Sequence, residues 1–290
     1  MSRRLFLCAL TAALLAGAGR VTASAQKPSG TAPAQGADAQ KAEKPKKEEA
    51  PKRAQKGDNV TAEQVAETVI LVYGTRPMLQ QIRRTGVERG RITRTGSDGV
   101  PQEITYERAF KRGDTFDKDK IRLSQRLPSL EYALIYSDGH VTGVLRGTPF
   151  TPKEEDVTTL LTDRVHGLDA LLRYKETGAA VKYNGKESQK GLDLWVLELT
   201  DKENRATRYY ISSKTGRVLW LEYEEGTGRE AVKYKRTFHD YRVVQQTLVP
   251  YRTVLYAGDR QVEESQVLTV TYGVKIEDAA FNSEAAAVEQ

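Results

Sequence analysis

The chain has 290 residues, with 45 Lys and Arg against 39 Asp and Glu, three His and one Cys. That length admits one large domain or two small ones, and the single cysteine excludes both an intramolecular disulfide and a four-cysteine zinc site. An apolar content of 39% beside 29% charged residues excludes a polytopic membrane protein, whereas the formal charge of +6 invites a nucleic-acid reading that depends on where the charge sits.

Residues 1–25 place Arg3 and Arg4 ahead of an apolar run from Leu5 to Leu15, with Ala23-Ser24-Ala25 as a small-residue cleavage site. This is the pattern of an export signal, too short to span a bilayer comfortably and closed by Arg20. Ser2-Arg3-Arg4-Leu5-Phe6-Leu7 resembles the twin-arginine motif, so the route stays open between that pathway and the general secretory one. Cleavage near Ala25 removes Cys8 and predicts a mature chain that is neither disulfide-bonded nor lipidated. Residues 26–58 contain no aromatic residue and read as a disordered Ala/Pro/Lys-rich tail. Signal and tail carry the whole net charge, because residues 59–290 hold 34 basic and 34 acidic side chains. An exported domain of zero net charge is not expected to bind nucleic acid.

A folded domain is expected over 59–282, with a flexible end at 283–290. Thr61 and Gln64 form a capping pair ahead of Val65, Val69, Val72 and Tyr73, which recur at helical spacing until Gly74 and Pro77 end the helix. Alternation then predicts strands near 82–94, 102–111, 118–126, 130–136 and 141–146. Ser97-Asp98-Gly99 and Ser137-Asp138-Gly139 are hairpin turns whose glycines supply positive φ. Between Lys153 and Tyr174 the apolar positions return to helical spacing, with a break at His166-Gly167. Strands resume near 180–187, 192–200, 206–212, 217–224, 230–243, 248–257 and 261–274. Short polar connections favour an antiparallel meander, and the number of strands favours one large curved sheet over a small sandwich.

The strand around Trp195 is apolar on both faces: Trp195, Leu197 and Leu199 on one, Leu192, Leu194 and Val196 on the other. Such a strand has something covering each side. Tyr209 and Ile211, then Leu219, Leu221 and Tyr223, then Tyr234 and Phe238, Val254 and Tyr256, and Leu268, Val270 and Tyr272 repeat the theme.

No nucleophile elbow, phosphate loop or paired-histidine spacing occurs. His140, His166 and His239 are far apart, and the adjacent His239-Asp240 pair points to alternate faces. Glu154-Glu155-Asp156 reads as favourable charge at a helix start. In the basic run from Arg83 to Arg94, alternation puts Arg89 and Arg91 on one strand face and Ile82, Arg84 and Ile92 on the other. Neither a catalytic site nor a cofactor or metal is expected.

Three stretches carry a family resemblance: Val181 to Leu197 with Gly185-Lys186-Glu187, Gly191 and Trp195; Tyr209-Tyr210-Ile211-Ser212-Ser213-Lys214-Thr215-Gly216; and Phe238-His239-Asp240-Tyr241-Arg242 with Leu248 and Pro250 after it. Together they resemble the C-terminal half of outer-membrane lipoprotein-sorting proteins, the LolA-like superfamily, which also includes sigma-factor-regulating relatives. The chain departs from the pattern at Ser212-Ser213 and at Gln245-Gln246.

The resemblance implies a mainly β, α+β fold: a large curved antiparallel sheet forming a half-open barrel, with helices on its concave face as plug or lid. It also implies a periplasmic, monomeric, non-catalytic carrier of lipid or lipoprotein acyl chains, with a membrane-protein partner. The expected cavity residues are Val69, Trp195, Leu197, Tyr209, Ile211, Leu219, Leu221, Tyr234, Val254, Tyr256, Leu268 and Val270. Two alternatives stand beside it: an envelope-lipid-sensing regulatory module, and a structural envelope protein without ligand.

Overall fold

The computed structural model describes residues 60–96, 99–228 and 231–283. The export segment, the tail, the Ser97-Asp98 turn and the end beyond 283 lie outside the described residues.

The first helix, α1 (Ala62–Tyr73), begins on a complete capping box. Thr61 Oγ1 accepts from the Gln64 amide at 3.2 Å, and Gln64 Oε1 accepts from the Thr61 amide at 2.9 Å. It ends at Gly74, whose φ of 134° an L side chain rarely adopts. Pro77 has a different role from the expected one. Its fixed φ suits a first turn, so it opens a second helix, α2 (Arg76–Ile82), and the strand expected from residue 82 starts only at 85.

Six strands come next: β1 (Thr85–Thr95), β2 (Pro101–Lys111), β3 (Lys120–Arg126), β4 (Glu131–Ser137), β5 (His140–Leu145) and β6 (Thr148–Phe150). The helical stretch then divides at His166-Gly167, giving α3 (Glu154–Val165), α4 (Leu168–Leu172) and α5 (Tyr174–Thr177). Seven more strands complete the domain: β7 (Ala180–Gln189), β8 (Leu192–Thr200), β9 (Ala206–Ser212), β10 (Val218–Glu225), β11 (Val232–Val244), β12 (Thr247–Ala257) and β13 (Arg260–Tyr272).

All thirteen strands form one open antiparallel sheet, in the order β6-β5-β4-β3-β2-β1-β13-β12-β11-β10-β9-β8-β7. Two meanders run outward from a central β1–β13 pair. The connection between them, residues 151–179, therefore leads from one edge strand to the other, and α3, α4 and α5 lie on it.

The largest apolar cluster joins helices to the second meander. Val65, Val69, Ile70 and Tyr73 of α1 and Leu171 and Leu172 of α4 pack with Leu197, Tyr209, Ile211, Val218 and Leu221. Under the other meander Leu160 of α3 meets Ile121, Leu134 and Tyr136. Strand β8 has both faces covered: Leu197 and Leu199 join the helix-side cluster, while Leu194 and Val196 pack with Tyr210 and Trp220 on the reverse. Among the described residues no helix is long and apolar enough to cross a membrane.

Candidate functional site: a chamber under the edge-to-edge connection

Five buried residues hold α1 to the protein, whereas Leu160 is the only buried residue of α3. The rest of the α3 attachment is polar. Thr162 donates to Glu225 at 2.5 Å, Asp163 pairs with Arg236 of β11, and Arg164 donates to the Phe116 carbonyl at 2.5 Å with its guanidinium 3.8 Å from the Tyr136 ring centre. On α4, Asp169 pairs with Arg112 at 2.8 Å and with Arg83 at 3.5 Å. Burial alone would raise the Asp169 pKa, but the Arg112 and Arg83 guanidinium groups outweigh it and hold the carboxyl well below its ordinary range. Just past α4, the buried Arg173 grips buried Asp119 through two hydrogen bonds of 2.6 and 3.1 Å.

Between these helices and strands β1–β3 and β11–β13 lies a chamber of about 230 Å³. Ile92, Ile121, Leu123, Leu160, Val249 and Val267 form its apolar wall. Its charged wall includes Arg83, Glu88, Arg108, Asp163, Arg164 and Arg236. Glu88 accepts from the Tyr106 hydroxyl at 2.8 Å, and Glu263, also on the wall, pairs with Arg94 at 2.8 Å.

None of the twelve expected cavity residues lines this chamber. Val69, Leu197, Tyr209, Ile211 and Leu221 are fully or almost fully buried in the α1 cluster, with Trp195 and Tyr234 packed against it. Tyr209 also donates to the Gly167 carbonyl at 2.9 Å, tying β9 to the break between α3 and α4. Val270 belongs to a separate cluster with Val249, Tyr251 and Tyr272. Val254 is buried outside these groups, and Tyr256 is half-buried.

Two residues contradict the alternation that grouped them with their neighbours. Leu219 is the extra residue of a β-bulge, since Val218 pairs with Ile211 and Trp220 with Tyr210; it packs on the reverse face beside Trp220. Leu268 is the extra residue of a second bulge, between the Arg89–Thr269 and Gly90–Val267 pairs, and is 50% exposed. A bulge inserts one residue and reverses the facing of the residues beyond it.

What alternation missed are the charges that line the chamber. Arg83 ends α2 and is not on a strand; Arg89 and Arg91 do share a strand face, where they pair with Glu107 and Glu103. One available signal was Asp169, an acid set inside the apolar run Leu168 to Leu172.

His166 occupies the break itself. It is buried, stacks on Tyr223 with ring centres 4.2 Å apart, and its Nδ1 lies 2.7 Å from Thr207 Oγ1. Burial, with Arg205 and Arg236 nearby against Asp201 and Asp163, pushes its pKa from 6.5 down to about 4. Below pH 6.5 the unfolded imidazole takes up a proton that the folded one refuses. Its contribution is therefore complete above 6.5 and is lost as the pH falls towards 4, on the order of 3 kcal/mol. We expect His166→Phe to flatten that window, read as a smaller difference between urea unfolding free energies at pH 7 and pH 4.5 than the native chain shows. An unchanged difference would remove His166 as the cause.

Comparison with solved structures places this geometry. A LolA superfamily protein from Nitrosomonas europaea superposes with a TM-score of 0.55 at 13% identity, over 77% of this chain and 98% of the other. The fold is LolA-like. A DUF1329 family protein from Desulfovibrio piger is similar as well, with a TM-score of 0.57 at 12% identity over 78% of this chain and 99% of the other. No family model matches the sequence, and neither does any curated protein. The LolA-like likeness is thus one of architecture at low identity, and the chamber has to be argued from its own side chains.

Proposed function

We propose that this LolA-like chain is an exported, non-catalytic carrier that shelters an acyl chain of a lipid or lipoprotein, working as a monomer in the periplasm after signal cleavage near Ala25. The observation that carries it is the chamber between the sheet and a helix, α3, whose hold on the sheet is mostly polar. A chamber of about 230 Å³ lies below the usual ~300–1,000 Å³ of ligand pockets, so α3 has to move for a larger load.

Topology supports a curved sheet with helices across its concave side. Laid flat at about 4.8 Å per strand, thirteen strands span roughly 58 Å. The edge-to-edge connection, helical at about 1.5 Å per residue and elsewhere extended at about 3.3 Å, reaches about 60 Å, barely that span, and only when fully straight. The bend at His166-Gly167 shortens it, and a curled sheet closes the gap.

The helices divide the work by what holds them. Lifting α1 exposes five buried side chains; lifting α3 exposes one, at about 2 kcal/mol, and hydrates polar contacts that water can replace. In this reading α3 is the lid, His166-Gly167 its hinge, and the Arg173–Asp119 pair the anchor. The expected cavity residues around Leu197 and Tyr209 serve to seat α1. Release then consists of closing α3 against the sheet as the chain passes to a membrane-protein partner. Photo-cross-linking of an acyl chain to the folded protein tests the reading, with label expected on the chamber wall.

A further inference from the structure

A chamber built only for hydrocarbon has no use for charge, yet the guanidinium groups of Arg83, Arg108, Arg164 and Arg236 line this one beside five carboxylates. The carboxylates around them are already engaged: Asp163 with Arg236, Asp169 with Arg112 and Arg83, and Glu263 with Arg94. Glu88 is held by the Tyr106 hydroxyl. The donors are not all used. The Nε–H groups of Arg83 and Arg164 are buried without a hydrogen-bond acceptor, and both residues line the chamber. Arg108 also lines it and makes no ion pair among the described residues, its guanidinium lying 5.7 Å from the Phe110 ring centre. A buried donor left unmade costs free energy that an incoming acceptor recovers. What the Arg83 and Arg164 donors lack is an acceptor, and the apolar surface of Ile121, Leu123 and Leu160 lies beside the arginines in the same lining, Leu123 as the cross-strand partner of Arg108 and Leu160 one turn from Arg164.

We infer that the chamber takes a single-chain amphiphile with an oxyanion head group, the head on the spare donors of Arg83, Arg108 and Arg164 and the tail on the apolar wall. This rests on the acyl-carrier reading and narrows its ligand class. Carboxylates and phosphate monoesters share the required chemistry: several acceptor oxygens carrying negative charge, matched to the planar donor fork of arginine.

The test uses the mature chain and competition against a fluorescent apolar probe. The competitors are dodecanoate, dodecyl phosphate, dodecanol and dodecyltrimethylammonium, each below its micelle concentration, and inorganic phosphate. Both anionic amphiphiles are expected to bind at least about tenfold more tightly than dodecanol, with the cationic one weakest. Arg164→Gln should bring the anions down to the level of dodecanol, read as the ratio of anion to dodecanol affinity within the variant because Arg164 also helps to hold α3. Because Arg164 also stacks on Tyr136, Arg108→Gln provides a second variant with no ion pair to lose, and it should weaken the same two competitors selectively.

Equal binding of dodecanol and the anions overturns the oxyanion inference while leaving the acyl carrier standing. A uniform loss across all competitors in both variants overturns it too. Inorganic phosphate binding as tightly as dodecyl phosphate, with dodecanol failing to compete, would support the oxyanion site and overturn the carrier. Failure of every competitor overturns both.

Discussion

Leu197→Ala is expected to lower the unfolding free energy by about 3 kcal/mol while leaving the acyl affinity of the folded protein unchanged. Leu197 has no exposed surface, pairs with Tyr183 on one side and Tyr209 on the other, and packs in the cluster that seats α1. Truncation removes buried methyl groups and leaves a cavity that a sheet fixed by neighbouring strands cannot collapse. The stability change is read from urea midpoints, and affinity is measured well below the new midpoint. Because Leu197 is not on the chamber wall, loss of affinity out of proportion to loss of fold would put the ligand site under α1 instead.

Asp119→Ala should also cost about 3 kcal/mol, through a different mechanism. Asp119 and Arg173 are 6% and 3% exposed, and the carboxylate also accepts from the Gly113 amide at 3.0 Å. Removing the acid strands a buried guanidinium with Glu176, at 2.6 Å, as its remaining ionic partner. Replacing both partners, as in D119L/R173M, should recover most of the loss, since apolar side chains of similar size avoid the desolvation penalty. If the double variant is as unstable as the sum of the single ones, the pair is a net source of stability and not chiefly a constraint on geometry. Anchorage gives a second readout. Arg173 fixes the α4–α5 end, so Asp119→Ala should speed amide exchange in α4 and α5 more than in α1.

Periodicity made most elements legible because neighbouring strands in a meander pair locally. The Thr61–Gln64 capping box, the His166-Gly167 break and the two-faced burial of β8 all arise from short-range rules that the structure obeys. Where periodicity failed, the cause lay outside the segment being read. Leu219 and Leu268 are bulge residues, and a bulge is visible only against the partner strand. Strand β6 has three residues, too few for alternation to register. Pro77 was legible as a boundary but not as the start of a helix, because a proline ends one helix and opens another with the same fixed φ.

The candidate site was the least legible part. Expecting an apolar cavity draws attention to Trp, Tyr and Leu, and here those residues chiefly pack helices and strands together. The chamber is bordered by Arg83, Asp163, Arg164 and Asp169, charges indistinguishable from solvated ones until α3 and α4 are laid across the sheet. Their partners, Arg112 just past β2 and Arg236 on β11, are far away in sequence.

The most direct test of the central claim is where an acyl chain lies when bound. A dodecyl chain bearing a terminal diazirine, bound to the mature protein, irradiated and mapped by peptide mass spectrometry, should label Ile121 and Leu123 of β3, Leu160 of α3 and Val267 of β13. Label concentrated on Val69, Trp195, Leu197 and Tyr209 instead would place the ligand beneath α1 and contradict the account.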